Sequence, residues 1–120
     1  MLERLFTYGS LMPGRQYAHL LAEATGEWQP ATITAFFDAN GWGHSVGFPA
    51  LIINDNGTVI EGMLLTSSLL HRLWPSLDEY EGDAYQRIIT KASLADGNKV
   101  DAFVYELHKN LQSTVNLKQR

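Results

Sequence analysis

The sequence predicts an α+β domain, in which a sheet of several strands, closed or strongly curved, carries one or two short helices. Three observations predict it. Apolar-rich runs of strand length are punctuated by the turn signals Asp55-Asn56-Gly57 and Ala95-Asp96-Gly97-Asn98, where Asn and Gly tolerate left-handed backbone. Leu69, Leu73 and Leu77 recur every fourth residue, with Leu70 and Trp74 beside them, which gives Ser67 to Gly82 one apolar helical face. The chain has 120 residues, 45% hydrophobic and 18% charged, enough apolar material for one core without staples and too much for a disordered chain.

The elements follow in order. Leu2 to Tyr8 is a short apolar run stopped by Gly9, which fits a first strand, and Met12-Pro13-Gly14 signals a turn. Gln16 to Ala24 places Tyr17, Leu20, Leu21 and Ala24 at helical spacing. Glu27 to Phe37 reads as a strand, and Asp38 to Phe48, with Gly41, Gly43 and Gly47, as an irregular loop. Ala50 to Asn54 and Thr58 to Thr66 are expected to form a hairpin about Asp55-Asn56-Gly57; Tyr85 to Leu94 and Lys99 to Leu107 form a second one. Pro75 has no N–H and disfavours helical backbone at Trp74, so the helical region is expected to split in two, the second helix beginning at Ser76 as N-cap. Residues 1–107 make up the domain and 108–120 a polar tail.

Composition narrows the chemistry. A net charge of −4 disfavours nucleic acid and anionic lipid as partners. With no cysteine, disulfides, thiolate nucleophiles and cysteine-bound zinc are excluded, and the balance tilts toward a reducing, cytoplasmic compartment. The N-terminus has no basic stretch before a long apolar run, so it does not read as a signal peptide, and no apolar stretch approaches the roughly 20 residues needed to span a bilayer.

Candidate catalytic groups are few. Ser76-Leu77-Asp78-Glu79 matches a capping box, which assigns Glu79 a structural task at the surface. Glu81 lies four residues after Leu77 and so continues the apolar face just before Gly82. A carboxyl there is desolvated and shifted toward neutral pKa; on pattern alone, the alternative that Glu81 simply ends the helix in water stays equally open. Tyr8-Gly9-Ser10-Leu11, directly after the first strand, allows the backbone to approach a ligand and turn its N–H groups toward a carboxylate or oxyanion. Taken alone, that tetrapeptide is better explained as an ordinary strand-ending turn with Tyr8 in the core. Ser10 lacks the G-x-S-x-G elbow of a serine hydrolase, and His19, His44, His71 and His108 form no metal-ligand spacing. Gly41 and Gly43 do not form a dinucleotide fingerprint.

Several segments line up with one family. Tyr8-Gly9-Ser10-Leu11 resembles the YGSL signature of the γ-glutamylcyclotransferase-like family, which includes AIG2-like plant proteins. Leu77-Asp78-Glu79-Tyr80-Glu81-Gly82 followed by Tyr85-Gln86-Arg87 is similar to its L-D-x-x-E-G…Y-x-R segment. Gly47-Phe48-Pro49-Ala50 resembles its aromatic-Pro-Ala segment, and Ile60-Glu61-Gly62 the short V-x-G segment before the helix. The resemblance implies a barrel-like mixed sheet of about six strands with flanking short helices. It implies a cyclotransferase of the amine-lyase type, releasing an amine from a γ-glutamyl amide or amine as 5-oxoproline forms. Glu81 corresponds to the family's essential glutamate, and Tyr8, Gly9, Ser10, Leu11 and Tyr85 would hold the substrate, with Arg87 expected to brace the Glu81 turn. No metal or organic cofactor is implied, because ring closure is already intramolecular. The expected partner is a small γ-glutamyl molecule, and the expected assembly a monomer or weak dimer. The competing expectation is a binding module that keeps the pocket without turnover.

Overall fold

Six strands form the framework among the described residues: β1 (Glu3–Thr7), β2 (Glu27–Asp38), β3 (Ala50–Ile53), β4 (Thr58–Ser67), β5 (Tyr85–Leu94) and β6 (Lys99–Leu107). A computed structural model describes residues 3–8, 18–22, 24–38 and 50–108. The sheet runs in the order β3-β2-β4-β1-β6-β5, and a further pairing of β2 with β5, at Ala31↔Leu94 and Thr32↔Ser93, closes five of the strands into a barrel. All pairings are antiparallel except β1 with β6, which run parallel with Leu5 beside Phe103. The sheet is therefore mixed, as the resemblance implied.

Strand alternation separates two cores. Phe6, Ile33, Ala35, Leu64, Ala92, Ala102 and Val104 point into the barrel with Leu51. Their neighbours Leu5, Leu65 and Tyr105 point outward, against Leu21, Ala24, Leu70, Leu73, Trp74 and Leu77. Small residues at Ala31, Ala35, Ala92 and Ala102 keep the inner layer narrow enough for so few strands to close.

The first expected hairpin is a different structure. The chain does turn at 55–57, but β3 and β4 are not paired with each other. Both pair with β2, and Ala35 faces Ile53 on one and Thr58 on the other. The turn carries the chain past β2, close to its backbone. A Cβ on Gly57 would lie 2.2 Å from the Ala35 carbonyl carbon, so this position needs glycine for room. The twelve-residue β2 offers long enough edges to take both strands, an option no local turn signal reveals. The second hairpin is as expected, with β5 and β6 in register from Tyr85↔Leu107 to Ser93↔Lys99.

The helical region does split, though not at Ser76. A 3-10 turn spans Leu70–Arg72, and one α-helix, α1, spans Trp74–Glu81. Its N-cap is Leu73, without a side-chain cap bond, and Pro75 sits inside the first turn. A proline is tolerated there because first-turn N–H groups have no intrahelical acceptor. Trp74 accepts helical backbone despite the following proline because it is buried against Phe103, with ring centroids 4.9 Å apart. Ser76 and Glu79 are both exposed within α1, so the capping box does not form. In Gln16 to Ala24, the described part is a 3-10 turn at Ala18–Leu21, with Leu21 and Ala24 buried against α1's side of the sheet. The turn at Met12-Pro13-Gly14, the loop 39–49 and the tail beyond His108 lie outside the described residues. Among the described residues no helix is long and apolar enough to cross a membrane.

Candidate functional site

One end of the barrel gathers the titratable residues. β1 ends at Thr7 and Tyr8 follows it directly; counting on from the parallel Leu5–Phe103 pair brings Tyr8 level with Glu106. β5 begins at this end, with Gln86 opposite Glu106 in register. Alternation puts Gln86 and Glu106 in phase with Ile88 and Val104, on the barrel's inner side. Tyr8 joins the same inner layer, 6.4 Å from Phe6 and 6.0 Å from Phe37 between ring centroids.

Glu81 reaches this end as the last residue of α1. Leu77, four residues earlier, is fully buried, so Glu81 follows the face that α1 turns to the sheet. Gly82 has φ 78°, a left-handed conformation that stops the helix at once, and its N–H donates to Asp78 O at 3.0 Å. The glutamate is thereby fixed at the end of a rigid turn and is itself mostly buried. Burial pushes its carboxyl from 4.5 to about 7. A group at that value exchanges protons readily near neutrality.

Tyr8 is the polar group at the centre. Its hydroxyl donates to the Tyr105 carbonyl oxygen at 2.6 Å. Burial, followed by electrostatic repulsion from Glu81, Tyr85 and Glu106, holds the phenol well above its ordinary range, so Tyr8 remains a neutral donor. Glu81, Tyr85 and Glu106 are thus all close enough to this phenol to act on it electrostatically.

A bracing network holds α1 on the sheet. Tyr105 Oη donates to Asp78 Oδ1 at 2.6 Å, while Arg87 sets Nε 3.2 Å from Oδ1 and Nη2 3.2 Å from Oδ2. The Arg87 guanidinium also lies 4.4 Å from the Trp74 ring centroid and 5.3 Å from that of Phe103. Tyr105 thus bonds α1 through its side chain and Tyr8 through its carbonyl. Burial, with the Asp78 hydrogen bond and charge, drives its hydroxyl far up, so it stays a donor.

Of the residues singled out from sequence, Tyr8, Glu81 and Tyr85 are brought to this end. Tyr85 is half-buried against the helix-side core, and its N–H donates to Gly82 O at 3.2 Å. Arg87 sits in the brace. Gly9, Ser10 and Leu11 lie outside the described residues, directly after Tyr8. Sequence reasoning did not single out Asp78, Tyr105 or Glu106. Glu106 had a legible signal: in Ala102 to Glu106 it stands in phase with Ala102 and Val104, a carboxylate on the buried side of a strand. Among the described residues, no cluster of three or more His, Asp or Glu could hold a metal ion.

A small α+β barrel with a carboxyl at its mouth defines a class of protein, and comparison with known proteins narrows it. Residues 5–119 match the family model described as gamma-glutamyl cyclotransferase, AIG2-like, and the chain belongs to that family. Among solved structures it resembles an AIG2-like protein from Mus musculus, at 17% identity and TM-score 0.71, over 94% of this chain and 82% of that one. It also resembles YkqA from Bacillus subtilis, at 23% identity and TM-score 0.70, over 90% of this chain and 36% of that one, so it spans about a third of YkqA. A structure named gamma-glutamyl cyclotransferase is similar at 18% identity and TM-score 0.59, over 89% of this chain and 67% of that one. These likenesses establish the fold. No curated protein sequence matches the chain.

Proposed function

We propose that this protein is a cyclotransferase that converts a γ-glutamyl amide or amine to 5-oxoproline and releases the amine, with Glu81 as general acid and base. The observation that carries the proposal is a mostly buried carboxyl titrating at about 7, fixed at the barrel mouth beside Tyr8.

The chemistry needs a group that can both take and give a proton. Glu81 takes a proton from the substrate's α-ammonium, and the freed amine attacks the γ-carbonyl carbon. A C–N bond forms, the carbonyl oxygen carries the developing negative charge, and the old amide C–N bond breaks as its nitrogen gains a proton from Glu81. The protons lost by the α-nitrogen reappear on the leaving amine, so none is consumed. Backbone N–H groups of Gly9, Ser10 and Leu11 hold the substrate carboxylate or the oxyanion. The neutral Tyr8 hydroxyl and the Tyr85 ring bound the space in which the substrate folds back on itself. Holding the amine against its own carbonyl supplies much of the rate, since the reaction is intramolecular.

Incubation with a panel of γ-glutamyl dipeptides and γ-glutamyl amines should yield 5-oxoproline from at least one member. Absence of product from all of them, or full activity in Glu81→Gln, overturns the proposal. A ligand that raises the melting temperature without being consumed would instead identify a binding module.

A further inference from the structure

Glu106 is the carboxylate that the proposed reaction leaves unused. It is 7% exposed on the inner side of β6, at the mouth of the barrel. Its Oε1 accepts the Ile53 backbone N–H at 3.0 Å and its Oε2 accepts Gln86 Nε2 at 2.9 Å. Both donors are neutral and satisfy one acceptor site on each oxygen, and among the described residues no cation is paired with this carboxylate. Arg87, next to Gln86 on β5, is on the opposite side of the strand, committed to Asp78 and stacked on Trp74 and Phe103. Parallel register sets Glu106 level with Tyr8, whose hydroxyl bonds the carbonyl of Tyr105, the residue before it.

A purely structural role does not require a carboxylate. The clip between β3, β5 and β6 needs two acceptors at a fixed spacing, and a buried charge without a cation costs several kcal/mol that a neutral group would avoid. Among the described residues, each oxygen keeps a second acceptor direction open. A carboxylate preorganised by two neutral donors at a polar mouth is a ready partner for a cation.

We propose that Glu106 is a substrate-binding residue whose carboxylate receives the α-ammonium of a γ-glutamyl ligand and holds it in the barrel mouth. This rests on the γ-glutamyl reading of the site and deepens it. Glu106 anchors the ammonium, and Glu81 is left free to move the proton.

The test compares γ-glutamylalanine with glutarylalanine, which lacks only the α-ammonium, by calorimetric binding in the Glu81→Gln protein. That background prevents turnover and removes the other carboxylate at the mouth. A charge-assisted hydrogen bond corresponds to a preference of about tenfold or more for the ammonium ligand. In Glu81→Gln/Glu106→Gln the preference should collapse to about one, which a clip of purely structural value would not cause. Equal binding of the two ligands by Glu81→Gln overturns the proposal without any change at Glu106, and so does a preference that survives the second substitution. Binding of neither ligand also overturns it. Failure of the cyclotransferase reading is read separately: a protein that forms no 5-oxoproline but prefers the ammonium ligand through Glu106 keeps this site and loses that reaction. Turnover in the unsubstituted protein, with a preference indifferent to Glu106, does the reverse.

Discussion

Asp78 and Glu81 stand three residues apart on one short helix, and their surroundings differ sharply. Asp78 meets a guanidinium at two points and a phenol hydroxyl at a third, so its charge is answered on the outer side of the barrel. Glu81 follows the same helix to its end, where burial alone lifts its carboxyl to about 7. The first carboxylate is paired and fastens the helix; the second is poised between two protonation states. A helix of eight residues thereby carries an anchor and a proton-transfer group less than one turn apart. The anchor matters to the chemistry because Tyr105 connects Asp78 to Tyr8 through a single residue.

The sharpest way to break this comparison is Glu81→Gln, which should lower 5-oxoproline formation by roughly 10²–10⁴-fold, the range expected for a lost acid–base group, while far-UV circular dichroism stays unchanged. Next comes pH. Folding raises the Glu81 pKa, so between about 4.5 and 7 the folded protein binds more protons than the unfolded chain, and stability falls as pH rises through that window. A shift of this size sets an upper limit of about 3 kcal/mol, reduced by partial exposure. Glu81→Gln should remove the dependence, so denaturant melts at pH 8 should find the variant the more stable protein. In the active protein, kcat/KM should rise through about pH 7 as the base deprotonates.

Asp78→Ala should act oppositely to Glu81→Gln, losing about 1–2 kcal/mol of stability, less than a fully buried charged pair because Asp78 and Arg87 are partly exposed. Its activity should fall by less than that of Glu81→Gln, through loss of position rather than of the proton carrier. The smallest effect is expected from Lys91→Ala. Its ion pair with Asp101 is short, at 2.6 Å, but both side chains are 66% exposed, so urea melts should move by less than about 0.5 kcal/mol. A larger change there would mean that exposed charge pairs, and not only the Asp78 brace, hold this sheet.

Much of the site was legible because it depends on local rules. Period-four leucines announced a helix with one buried face, and Glu81 falls on that face by counting alone. The Ala95-Asp96-Gly97-Asn98 turn led to the hairpin observed, because the strands on either side of it have no better partner. Asp55-Asn56-Gly57 presented the same kind of signal and misled, because β2 competes for both flanking strands and takes them. Ser76 and Glu79 composed a capping box that was not used, since burial of Trp74 starts α1 earlier than the proline suggested.

By itself the sequence determined the class of fold and the strand and helix periodicities, which follow from spacing along the chain, and it offered a buried face for Glu81 as one of two equal readings. Only the tertiary structure decided that five strands close on themselves through β2 and β5, that Asp78 is paired, and that Glu106 comes level with Tyr8. The physical reason is the same for all three. Pairings between distant segments are chosen by competition for edges and buried area among the whole set of strands, and no local window contains the competitors.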